Sequence, residues 1–88
     1  MPRPFNLSML RGKLGLEPAQ MAEHMGLETD KLLALEAAPE KVLRRHQMLA
    51  HMASLDVALE RGQPALASTT IREKIKAWHA LNAAQAET

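Results

Sequence analysis

Eighty-eight residues carrying 11 Lys/Arg against 10 Asp/Glu make one small, nearly neutral domain. The absence of cysteine excludes disulfides and thiolate metal sites. No apolar run is long enough for a membrane span or a secretion signal, so a cytoplasmic protein with no membrane contact is expected. Ala, Leu and Met dominate, aromatics reduce to Phe5 and Trp78, and β-branched residues are few, so an all-α fold follows.

Met1-Pro2-Arg3-Pro4 reads as a short arm kept extended by its two prolines. Asn6 or Ser8 can cap a first helix reaching Leu14, with Leu7, Leu10 and Leu14 on one face and Gly15 as its stop. A second helix runs from Pro18, well tolerated in a first turn, to Met25. A third starts at Glu28 or Thr29 and runs to Ala37, with Glu28 and Asp30 favouring its positive end. Pro39 breaks the chain. A long fourth helix is predicted from Glu40 to Arg61, with Val42, Leu49, Met52, Leu55 and Leu59 as its buried stripe and Gly62 as its stop. Thr70 and Glu73 fit a capping box opening a fifth helix to about Ala84, striped by Ile71, Ile75, Trp78 and Leu81 or Asn82. The last residues, to Thr88, are expected to fray. Residues 1–62 thus form one unit, and residues 63–88 a C-terminal helix that can serve as a dimerisation element.

The segment Gly15 to Glu36 carries the main functional signal. Ala22 stands four residues before Gly26, and Met21, Met25, Leu27, Leu32 and Leu35 supply apolar contacts. This spacing describes two short helices meeting at a tight turn. Ala22 permits a close crossing, Gly26 accepts a left-handed backbone, and Leu27 plugs the corner. The arrangement is the helix-turn-helix pattern, whose best-known use is to lay the second helix in the DNA major groove.

With Leu10-Arg11, Gly15-Leu16, Met21-Ala22, Gly26-Leu27, Leu32, Leu35 and Glu36 in place, residues Leu7 to Leu59 resemble the lambda-repressor/Cro-type (XRE-like) helix-turn-helix proteins. The resemblance implies a five-helix lambda-repressor-like DNA-binding domain with a C-terminal helix. It also implies a transcriptional repressor that binds a palindromic operator in double-stranded DNA as a dimer. It further implies a structural ion pair between Arg11 and Glu36, tying the first helix to the end of the third. Base contacts would come from Thr29, Asp30, Lys31 and Ala34, with Leu33 at the edge. Thr29 and Lys31 can bond a base or a phosphate, Asp30 can accept only from a cytosine amine, and Ala34 can touch a thymine methyl.

Two features depart from the family's pattern. Pro18 stands where many members use Gln at the DNA backbone, and it offers no donor. Glu28 and Asp30 repel phosphate, so the clamps must come from elsewhere: Arg44 and Arg45 first, Lys41 beside them, and Arg3 on the arm. Residues 1–62 are formally neutral, so attraction to DNA must come from how charge is arranged.

Other chemistry is not encoded. His24, His46, His51 and His79 form no pair at helical metal-ligand spacing, so no metal site is expected. No nucleophile stands beside a base with an orienting group, and no Gly-rich phosphate loop is present, so neither enzyme nor cofactor is expected. Met21, Met25, Met48 and Met52, with Met9 similar, read as core filler. Ile71, Ile75 and Trp78 can close the chain's own core or meet the same helix of a second copy, and the dimer contact is the expected use. The alternative to a repressor is a protein-interaction module that binds and blocks a regulatory protein partner, favoured by the acid-opened third helix and the neutral charge.

Overall fold

The structure is a computed structural model that describes residues 5–86, and their side chains as far as Ala84. Arg3 and the rest of the N-terminal arm, like the last two residues, lie outside the described residues. Five α-helices follow one another: α1 (Leu7–Leu14), α2 (Pro18–Met25), α3 (Thr29–Ala37), α4 (Arg44–Arg61) and α5 (Thr69–Ala86). Short 3₁₀ turns, Pro39–Lys41 and Pro64–Leu66, lead into α4 and α5. The described residues are all-helical, and none of their helices is long and apolar enough to cross a membrane.

Helix ends follow the local chemistry. The Asn6 side chain accepts from the Met9 amide at 2.9 Å and caps α1. The Glu17 amide donates to Gln20 Oε1 at 2.9 Å at the head of α2. At the end of α2, Gly26 takes φ 72°, while the Leu27 amide reaches back to the Ala22 carbonyl at 2.9 Å. This Schellman closure needs a residue without Cβ strain and turns the chain directly into α3. The same closure ends α1 at Gly15 and α4 at Gly62.

Leu7, Leu14, Leu16, Met21, Ala22, Met25, Leu32, Leu35, Ala50, Ala53 and Val57 form one buried cluster. Ala22 is 1% exposed, so the expected small residue does sit under the crossing helix. α4 is the central strut, packed against α1, α2 and α5. The Arg61 guanidinium donates to the Leu14 carbonyl at 2.8 Å and ties the end of α4 to the end of α1.

Helix α4 departs from the sequence expectation in two ways. It starts at Arg44 rather than Glu40, because Pro39 sets a 3₁₀ turn and the backbone then runs extended through Val42 and Leu43. The Leu43 amide is satisfied by His46 Nδ1 at 3.0 Å. Its buried face is His46, Ala50, Ala53, Ser54, Val57 and Ala58, whereas Leu49, Met52 and Leu59 are exposed. Helices α1 and α2 approach α4 closely, and a close approach selects the small side chains over the large ones. Val42 and Leu55 are half-buried. Of the methionines, Met21 and Met25 fill the core as expected, but Met9 and Met52 lie on the surface.

Helix α5 also begins differently. Ser68, not Thr70, receives the Ile71 amide, at 3.3 Å, and α5 opens at Thr69. Ser68 is held by α4: its amide donates to Ser54 Oγ at 2.9 Å, and its hydroxyl lies 2.8 Å from His51 Nδ1. Ser54 in turn donates to the His51 carbonyl. Ile71 packs with Ala58 and Ala67 beside Leu55 and Leu66. Beyond Ile71, every described side chain of α5 is exposed. The helix leaves the body, and the molecule extends to 49 × 32 × 20 Å.

Candidate nucleic-acid interface

Helix α3 is anchored from beneath. Leu32 and Leu35 are buried against the core, so the opposite face must point outwards. Asp30, Lys31 and Ala34 are exposed there, Thr29 is half-buried, and Leu33 is 45% exposed. Asp30 and Ala34 lie nearer the centre of that outward face, and Thr29 and Lys31, two positions apart on the helix, lie at its flanks. Glu28 and Asp30 keep that surface mixed in charge.

The end of α3 is locked to α1. Arg11 Nε donates to Glu36 Oε1 and Oε2 at 3.2 and 3.0 Å, and Nη2 donates to Oε1 at 2.9 Å. Arg11 Nη1 also donates to the Leu16 carbonyl at 3.1 Å. The Glu36 hydrogen bonds, which outweigh the cost of burial, push the Arg11 guanidinium pKa up. The Arg11–Glu36 contact that the resemblance implies is present, and it joins the end of α3 to α1.

Exposed cations follow α3 in the chain, in the 3₁₀ turn and the first turn of α4. His46 is buried, and burial lowers its pKa; the nearby charges of Arg45 and Lys31 lower it further. The charges of Lys31 on α3 and Arg45 on α4 thus both reach the His46 imidazole. Arg44 is exposed one residue earlier, and Lys41 is exposed in the 3₁₀ turn between the helices.

A feature invisible in the sequence extends this basic ground. Arg44, Gln47, Met48 and His51 of α4 and Thr70 and Lys74 of α5 line a cleft of about 410 Å³. The His51 pKa is lowered, first by burial and then by Lys74. Phe5 meets the same imidazole edge-on, with ring centroids 5.3 Å apart. Thr70 and Lys74 join Arg44 only because the serine network docks the start of α5 onto α4. No local motif in the sequence announces that contact. The cleft can accept an anionic oxygen: it offers an ammonium, a guanidinium, an amide and a hydroxyl, with no carboxylate among its lining residues.

Of the expected dimer contacts, Ile71 is corrected. It is 4% exposed within its own chain, because it is the anchor that fixes α5 to α4. Ile75 and Trp78 remain on the surface at 38% and 59%. Among the described residues, no group of three His, Asp or Glu side chains is placed to hold a metal ion. None of the family models, curated proteins or solved structures compared with this chain matches it.

Proposed function

We propose that this chain is a sequence-specific DNA-binding regulator of the lambda-repressor/Cro type, acting as a homodimer on a palindromic operator. Helix α3 enters the major groove. Lys31 reaches a guanine or a phosphate, Thr29 a base edge or backbone oxygen, and Ala34 a thymine methyl. Asp30 accepts from a cytosine amine. Arg44, Arg45 and Lys41 hold phosphates beside the groove, and Lys74 extends that track onto α5. The regulator represses by occupying its half-sites so that polymerase is excluded, without a cofactor or catalytic step, in the cytoplasm.

The observation that carries this reading is the exposure of Asp30, Lys31 and Ala34 on α3, together with exposed Lys41, Arg44 and Arg45 in the chain that follows it. The charges of Lys31 and Arg45 both reach His46, and Arg44 opens onto the cleft that holds Lys74. Phosphate attraction then rests on the placement of Lys31, Arg44, Arg45 and Lys74, since Glu28, Asp30 and Glu40 are also exposed around α3.

The test is fluorescence anisotropy against a random-sequence duplex pool at low salt, followed by selection of bound sequences. Wild-type protein is expected to bind with a strong salt dependence. Arg44→Ala/Arg45→Ala is expected to lower the log–log salt slope by about 2, roughly one per lost phosphate contact. Lys31→Ala is expected to change the selected sequence as well as the affinity. No binding by the wild type at low salt refutes the regulator reading. Wild-type binding that the double variant retains in full refutes the clamp assignment.

A second reading has its own support. Leu59, Trp78 and Leu81 are 72%, 59% and 58% exposed, an apolar surface suited to protein contact. On this reading the helical scaffold binds and blocks another regulatory protein. Saturable binding of one protein partner, combined with no DNA binding, distinguishes it.

A further inference from the structure

The cleft between the first turns of α4 and the opening of α5 has a chemistry that DNA contact does not exhaust. Arg44, Gln47, Met48 and His51 stand at i, i+3, i+4 and i+7 and so share one face of α4. Thr70 and Lys74, four positions apart, share a face of α5. The hydrogen bonds among His51, Ser54 and Ser68 bring the two faces together. The space between them, about 410 Å³, falls within the range of about 300–1,000 Å³ usual for small-molecule sites.

The lining is one-sided. Each of its polar side chains can donate a hydrogen bond, and no carboxylate is among them. Ser68 Oγ accepts from the Ile71 amide at 3.3 Å and lies 2.8 Å from His51 Nδ1. When that hydroxyl donates to Nδ1, the imidazole proton sits on Nε2, and the ring adds one more N–H. His51 is half-buried, and its pKa is lowered by burial and then by the Lys74 charge, so the ammonium's field crosses from α5 to α4. Among the described residues, neither Arg44 nor Lys74 is held in an ion pair.

We infer that this cleft binds a phosphate monoester, held between the Lys74 ammonium and the Arg44 guanidinium, with Gln47, Thr70 and His51 as further donors. Charge selects the monoester. A backbone phosphodiester has one negative charge, whereas a monoester has about −1.5 to −2 at pH 7, which two fixed cations match. Helix α5 opens at the cleft, and the positive end of its backbone adds to the attraction. Met48 offers an apolar wall to the group that bears the phosphate. Arg44 and Lys74 cannot hold this ligand and a DNA backbone at once, so in the reading above an occupant acts as an antagonist. The site itself does not rest on that reading.

Its test contains no DNA, so the two can fail separately. Methyl phosphate and dimethyl phosphate are titrated at constant ionic strength into isotope-labelled protein, followed by NMR. Methyl phosphate is expected to shift the amides of Gln47, Thr70 and Lys74 and the His51 ring saturably, and to leave Lys13 and Asp30 in place. Dimethyl phosphate, with half the charge, is expected to bind at least about tenfold more weakly. Lys74→Ala removes one charge-assisted contact and is expected to weaken methyl phosphate by about tenfold. Lys76→Ala removes the same charge from the same helix outside the cleft, and is expected to change affinity by less than about twofold. Both lysines are exposed, and unchanged circular dichroism confirms that each variant folds. Absence of saturable shifts with methyl phosphate overturns the inference. So does equal binding of dimethyl phosphate, or an equal loss in Lys76→Ala, which marks diffuse attraction rather than a site.

Discussion

Removing the carboxylate of Glu36 tests how α3 is held. Arg11 makes three contacts to the two Glu36 oxygens and one to the Leu16 carbonyl. The side chains are 22% and 9% exposed, so the pair is mostly shielded from water. Breaking a fully buried pair by deleting one partner costs about 3–5 kcal/mol, since the remaining charge is stranded. Arg11 keeps its Leu16 bond and some access to water, which reduces the expected cost of Glu36→Ala to about 2–3 kcal/mol. For a domain of this size that is a fall in Tm of about 10–20 °C. Arg11→Ala should cost a similar amount. The double variant should cost much less than the sum, because the two side chains act on each other. Thermal and urea unfolding followed by circular dichroism measure all four proteins. Single losses below about 0.5 kcal/mol, or strict additivity in the double variant, would refute the idea that this fork fixes α3.

Two further outcomes follow from the α4 side of the molecule. His46 and His51 both titrate lower in the fold than in the unfolded chain, His46 through burial and the charges of Arg45 and Lys31, His51 through burial and Lys74. In the window between the folded and unfolded values the unfolded chain holds more protons. Stability is therefore full above the ordinary imidazole pKa of about 6.5 and is lost as pH falls through that window, by up to about 1.4 kcal/mol per pH unit for each imidazole. His46→Gln keeps an acceptor for the Leu43 amide and should flatten this slope; a Tm that stays constant between about pH 7.5 and about pH 5.5 in the wild type would contradict it. Ser54→Ala removes the acceptor of the buried Ser68 amide and should cost about 1–3 kcal/mol. Hydrogen exchange at Ile71 and Arg72 should accelerate more than at Leu32, and equal acceleration at both sites would show that α5 is not docked through this serine.

Much of the helical order was legible locally. Asn6 before α1, Pro18 at the head of α2, and Gly15, Gly26 and Gly62 at helix ends are single-residue signals that act within one turn of chain. The spacing of Ala22, Gly26, Leu32 and Leu35 likewise marked which sides of α2 and α3 are buried. The outward residues of α3, Asp30, Lys31 and Ala34, could be named by subtraction. Where a signal came from a side chain reaching backwards, as His46 does to the Leu43 amide, the boundary was misplaced.

The sequence by itself determined that the chain is all-helical, where most helices stop, and which face of α3 points outwards, because propensity, capping and 3.6-residue periodicity are properties of neighbouring residues. Only the tertiary structure decided that α4 buries alanines and Ser54 while exposing Leu49, Met52 and Leu59, since residue size ranks differently once two helices must approach closely. It alone joined Lys74 to Arg44 in one cleft and showed that Ile71 is an internal anchor while Trp78 is 59% exposed. Those facts depend on where α5 docks, through a hydrogen bond between Ser54 and Ser68, 14 positions apart in the chain. Periodicity reports which residues share a face; the packing of other helices against that face decides whether it is covered.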